Sequence, residues 1–183
     1  MRPSTFHRIN LIGAAGSGKS TLGRAIADRL QIPFFDSDSY YHLPTDPPFQ
    51  VQRPPEEALR SLVVDLAPHP SWVLAGFARG WGDHPTLAPS LVVFTYVPPE
   101  IRQSRLRDRE RQRYGSRIEP GGDMAEIHRE FLAWSAGYDD PGENSIRSSH
   151  EAYLRNVGCP ILRLDAPMTP AEQLEAVLAR LRD

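Results

Sequence analysis

Gly13-Ala14-Ala15-Gly16-Ser17-Gly18-Lys19-Ser20 carries its glycines, lysine and hydroxyl at the spacing G-x-x-x-x-G-K-[ST] without a mismatch, and Thr21 follows. Residues of these types in this order suit a polyphosphate. Glycines and alanines let backbone N–H groups come close to phosphate oxygens. Lys19 is placed to reach the β- and γ-phosphates, Ser20 to offer an oxygen to Mg²⁺, and Thr21 to stand near the α-phosphate. ATP and Mg²⁺ are the cofactors this implies. Lys19 is also the single lysine, the other 20 of the 21 basic residues being arginine. With that lysine committed, a guanine-reading N-K-x-D motif cannot exist, which excludes a GTPase.

Such a loop works between a strand and a helix, whose N-terminal dipole adds to the anion site. The sequence supplies both. Ile9-Asn10-Leu11-Ile12 is a short β-rich run, and Leu22, Ala25, Ile26 and Leu30 recur at helical spacing until Ile32-Pro33. Phe34-Phe35 predicts a second strand, and Trp72 to Ala75 and Leu91 to Val97 are continuous apolar runs of the kind covered on both faces of a parallel sheet. Pro160 to Leu164 predicts a fifth strand. Helices are expected over Glu56–Ala67, from about Pro99, over Asp123–Ala136, up to about Asn156, and after Thr169-Pro170. The expected fold class is α/β: a three-layer αβα P-loop NTPase fold with a five-stranded parallel sheet. The whole chain, 1–183, reads as one domain, with an acceptor-binding insert at about 40–70 and a small lid at about 110–140.

Asp36 and Asp38 leave the second strand two residues apart, so in an extended chain both carboxylates point one way, towards the rim that carries the phosphate loop. One could hold the metal and the other orient or deprotonate an acceptor hydroxyl; turn formation or helix capping would use the same residues. Phe35-Asp36-Ser37-Asp38 resembles the D-x-D of shikimate and gluconate kinases, which implies Asp36 with Ser20 as metal ligands and Asp38 as the acceptor-side catalytic and binding group. Gly76-Phe77-Ala78-Arg79 is similar to the G-F-P-R of adenylate kinases, whose arginine holds the acceptor's phosphate, and so implies an acceptor role for Arg79. Ala78 replaces the proline, and Ala75 stands where adenylate kinases carry the Walker B aspartate. The metal then needs Asp36.

Residues 102 to 117 hold seven arginines against Asp108 and Glu110, a surplus of five positive charges. Arg105, Arg109 and Arg113 are spaced by four and share a helical face that can stack on a purine and pair with phosphates, although a solvated basic helix has the same pattern. Arg105-Leu106-Arg107-Asp108-Arg109 resembles the R-x-x-x-R that opens the adenylate-kinase lid. That likeness implies nucleotide binding by Arg105 and Arg109 and a catalytic part for Arg109. Tyr114 to Gly122 would form the lid, excluding water when substrates are bound. Tyr138-Asp139-Asp140 with Arg147 resembles the return limb of such a lid and puts Arg147, but not Asp139, in the acceptor site. Tyr40, Tyr41, His42 and Trp81 are candidates for lining that site or for packing. His150, Trp72 and Trp134 read as structural.

Composition sets the limits. The chain has 183 residues, 40% hydrophobic and 24% charged, with a net charge of −2, which suits a globular protein and argues against nucleic-acid or membrane binding through bulk charge. Cys159 is the one cysteine, so no internal disulfide or cysteine zinc site exists, and a reducing cytoplasm is expected. No apolar stretch has signal-peptide or membrane-span length. An oligomeric ATPase of the AAA type needs more chain for its sensors and second subdomain. The sequence therefore reads as a monomeric or weakly dimeric kinase that moves the γ-phosphoryl of Mg²⁺-bound ATP to a small-molecule acceptor, a nucleoside monophosphate or a hydroxylated metabolite. The competing reading is a P-loop ATPase that acts as a nucleotide-dependent switch, ordering the arginine-rich segment against a protein or nucleic-acid partner.

Overall fold

Alternating residues of one central strand face two different helical layers, and this explains the runs without polar interruption. The structure is a computed structural model and describes residues 6–142, 145–165 and 168–182. Strand β1 (Arg8–Gly13) turns Ile9 and Leu11 towards Leu22 and Ile26 of α1 (Lys19–Leu30) and Val177 of α7 (Pro170–Arg180). Its neighbours β3 (Trp72–Ala75) and β4 (Leu91–Thr95) add Val73, Leu91 and Val93 to that layer. On the opposite face Trp72 and Leu74 meet Leu62 and Leu66 of α3 (Pro55–Leu66), while Ile12, Val92 and Phe94 meet Leu154 of α6 (Ile146–Asn156). Each of these side chains, buried, contributes about 1.5–3 kcal/mol.

The sheet has the order β2-β3-β1-β4-β5, with β2 at Phe34–Asp36 and β5 at Ile161–Leu164. Every pairing is parallel, Asn10 standing opposite Leu74 on one side and Val92 on the other. All five strands therefore end on one rim. The phosphate loop, the aspartate pair, Gly76 and Tyr96 leave there, in the crevice where open α/β sheets bind ligands.

The strand at 91–97 stops at Thr95, and the helix expected from Asp123 begins at Ala125, with Asp123 just ahead of it paired to Arg117. Between β2 and β3, the four-residue helix α2 (Asp38–Tyr41) leads to a proline-rich excursion that folds back on itself. Leu43 N–H donates to Val51 at 2.9 Å and Arg53 N–H to Tyr41 at 2.7 Å. After β4, α4 (Pro99–Tyr114), a 3₁₀ turn at Gly115–Ile118 and α5 (Ala125–Ala136) form a helical hairpin. Among the described residues, no helix is long and apolar enough to cross a membrane.

Candidate active site

The first turn of α1 is left open. Gly18 is its N-cap, no side chain caps it, and no acidic residue stands in its first turn, so its N–H groups face the loop. In contrast, α7 closes its own start with a capping box between Thr169 and Glu172. The loop from Gly13 to Gly18 is fixed from beneath. Ser17 Oγ and Thr95 Oγ1 lie 2.8 Å apart, and Ser17 N–H donates to Ala14 at 3.2 Å. Gly16 has φ +77°, and a Cβ there would stand 2.9 Å from the Arg102 carbonyl oxygen. A side chain at 16 would thus push the loop off α4. Ala14 is buried, Ala15 half-buried and Thr21 exposed.

Lys19 Nζ donates to the Ala14 carbonyl at 2.8 Å, so the ammonium lies over the loop that it would help to fill. Burial holds Lys19 below the ordinary lysine range, opposed by Asp38 and Asp36. Ser20 Oγ donates to Asp36 Oδ2 at 2.8 Å. The two groups expected to hold the metal are in contact. A hydroxyl and a carboxylate oxygen form the hard donor set that Mg²⁺ takes alongside phosphates and water, so these residues fit it. Among the described residues no group of three or more His, Cys, Asp or Glu could hold a metal by itself.

Asp38 does reach this site, but not by the extended geometry expected of it. Ser37 is helical, Asp38 opens α2, and Asp38 N–H donates to Asp36 Oδ1 at 3.3 Å, so a helical turn gathers the carboxylates. Burial raises the Asp38 carboxyl above its ordinary range, Asp36 adds to this, and Lys19 opposes it.

Arg109 acts electrostatically on both Lys19 and Asp38, which places its charge towards the site. Its Nε donates to Glu110 at 2.9 Å, and its guanidinium carbon lies 5.8 Å from the Phe131 ring centre. Arg105 is exposed one turn earlier on α4. Arg147 is engaged elsewhere: it donates to Asp139 at 2.9 Å and lies 4.8 Å from the Tyr96 ring centre. The backbone of Arg79 is in the 3₁₀ turn Ala78–Trp81, but its side chain lies outside the described residues.

The rest of the arginine segment is less free than its charge surplus implied. Arg102 is fully buried and donates to Val97 O at 3.0 Å, Ser135 O at 3.1 Å and Asp139 Oδ2 at 2.5 Å. It pins α4 to the end of α5. Arg117 forks onto Asp123, with Nη2–Oδ2 at 2.7 Å, and reaches Asp46 of the insert at 2.6 Å. Around the aspartates Tyr41 stacks on Trp81 with ring centres 5.8 Å apart, Tyr40 donates to Asp65 at 2.7 Å, and His42 packs edge-on to Phe49. His150 is buried, its Nδ1 2.9 Å from Tyr138 Oη, and burial lowers its pKa to about 4. Trp72 is fully buried as expected, whereas Trp134 is exposed and stacks on Phe131.

Comparison with known proteins agrees with the fold. A family model described as an AAA domain matches residues 9–135. Uncharacterized protein YqaC of Bacillus subtilis (strain 168) is 38% identical over 171 residues, covering 93% of this chain and 94% of that one. A shikimate kinase of Colwellia psychrerythraea is 70% identical over 30 residues, covering 16% of this chain and 17% of that one. The solved shikimate kinase of Acinetobacter baumannii, in complex with shikimate, superposes with a TM-score of 0.51 at 20% identity, covering 97% of this chain and 93% of that one. That likeness concerns the fold. The AAA-domain match runs from β1 to α5 and includes the phosphate loop. The chain belongs to this AAA-domain family and has the αβα fold of the P-loop kinase superfamily.

Proposed function

We propose that the protein is a phosphotransferase that moves the γ-phosphoryl group of ATP to a hydroxyl of a small acceptor. The observation that carries this reading is the joining of two half-sites. Ser20 of the phosphate loop touches Asp36, and Asp36 accepts from the backbone of Asp38. Mg²⁺ held by Ser20, Asp36 and the nucleotide would neutralise charge on the β- and γ-phosphates. The loop N–H groups and Lys19 bind and orient the phosphates. Asp38 accepts the acceptor's hydroxyl proton, and its raised carboxyl is the better base for that distance from water. Arg109 adds positive charge on the side of the transferred group. Arg79 and Arg105 are proposed to meet acceptor and nucleotide respectively.

Arg147 is not kept in this assignment: its guanidinium is held by Asp139 and the Tyr96 ring, whereas Arg109, although also paired, acts on Lys19 and Asp38. A nucleic-acid switch is supported less than a kinase, because Arg102 and Arg117 of the basic segment are taken up by partners within the chain. The test is ADP formation against a panel of nucleoside monophosphates, hydroxy acids including shikimate, sugars and aminoglycoside-like polyols. At least one class of hydroxyl acceptor should raise the rate well above the acceptor-free rate, and Lys19→Ala should abolish it; stimulation by nucleoside monophosphates alone would overturn transfer to a hydroxyl. Hydrolysis indifferent to every acceptor would overturn the reading.

A further inference from the structure

One polar side chain of the central strand has no place in the site as described above. Asn10 is 5% exposed, while Ile9, Leu11 and Ile12 beside it are fully buried. An amide in such a position must be hydrogen-bonded. Asn10 Nδ2 donates to Leu74 O at 3.1 Å and to Gly76 O at 3.0 Å, so it spans the last turn of the ladder and grips β3 one residue past its end.

What it grips is the backbone against which the aspartates sit. Gly76 N–H donates to Leu11 O at 2.9 Å, and Ser37 N–H donates to Ala75 O at 2.9 Å. Gly76 has φ +113°, and a Cβ on it would stand 1.8 Å from Ser37 Oγ. Ser37 is itself buried between Asp36 and Asp38. The contacts therefore run without a gap from the Asn10 amide through the Gly76 peptide and Ser37 to both carboxylates. The Ser37 bond to Ala75 and its close approach to Gly76 tie the placement of the aspartates to this backbone.

We propose that Asn10 is a positioning residue, holding the Ala75–Gly76 backbone so that the Asp36-Ser37-Asp38 turn meets the phosphate loop. It rests on the kinase reading for its effect on turnover, but not for its effect on the turn.

Asn10→Leu keeps a branched side chain of similar size and donates nothing. In the full chain it should lower the melting temperature by a few degrees, because two buried carbonyls lose their donor, and leave ATP affinity unchanged, while kcat for acceptor phosphorylation falls about tenfold or more with KM for ATP unchanged. Amide exchange at Ser37, read by NMR on the ligand-free protein, should quicken about tenfold while Leu11 and Val93 stay protected. Unchanged Ser37 exchange in a folded Asn10→Leu protein would overturn the proposal, as would a loss of protection spread evenly over β1 and β4. If Asn10→Leu does not fold, Asn10→Ser, which keeps one donor, is judged by the same two readouts. A wild-type protein without acceptor-dependent transfer would defeat the kinase reading alone, because Ser37 exchange decides the role of Asn10 in either case.

Discussion

Asp36 and Asp38 are two residues apart, and the different roles proposed for them predict that their variants separate. Asp36 accepts from Ser20, and its loss should weaken ATP binding in the presence of Mg²⁺ while hardly altering binding in its absence. The Ser20 hydroxyl donates to Asp36 rather than to Asp38, and Asp38→Asn should lower kcat by about 10² or more with ATP affinity retained. Calorimetric titration of both variants with and without Mg²⁺ checks the division. ATP binding lost in Asp38→Asn but kept in Asp36→Asn would reverse it. His150 makes a separate prediction about pH. Its folded pKa of about 4 lies below the ordinary histidine value of about 6.5, so the unfolded chain binds the extra proton first. Stability is then full above pH 6.5 and falls as pH drops towards 4, by roughly 3 kcal/mol at most. Urea unfolding across that range should show the slope, and His150→Phe should flatten it.

At the scale of elements, the α4–α5 hairpin is held by one buried cation at its base and an exposed clasp near its tip. Arg102 has a fully buried side chain and joins Val97, Ser135 and Asp139. Arg102→Met should cost about 3 kcal/mol, because it leaves buried acceptors without their donor. For a chain of this size that is a fall of about 6–12 °C in melting temperature. Asp46→Asn, which breaks the exposed contact with Arg117, should leave the melting temperature where it is. The strands and the longer helices were legible because apolar runs and helical periods are averages over many residues. The aspartate turn was not, since four residues from Asp38 to Tyr41 are too few to show a period. The arginine pattern could not reveal Arg102 either, because the same residue type serves a solvated face and a buried clamp, and only its three acceptors tell them apart. Asn10 did carry a signal: it is the lone polar residue between Ile9 and Leu11-Ile12 in a strand that must be covered on both faces.

For the molecule as a whole, ligand binding should be felt as stability. ATP at about 100 times its dissociation constant should add about 2.7 kcal/mol to unfolding, and Lys19→Ala should remove most of that gain. The single lysine allows a second check. Lysine-directed modification should label Lys19 and the chain's N-terminus, and bound ATP should protect Lys19 alone. These measurements bear on the nucleotide half of the proposed site, which the loop spacing from Gly13 to Ser20 predicts. The proposed acceptor half would rest on Asp38, on Arg79 and on how β2, β3 and the insert meet, which spacing alone cannot convey. The most direct test of phosphotransfer is therefore the stoichiometry of products. With an acceptor from the active class, mass spectrometry should find one phosphorylated acceptor for each ADP formed. ADP accompanied by an equal amount of inorganic phosphate, with no phosphorylated acceptor, would contradict the account.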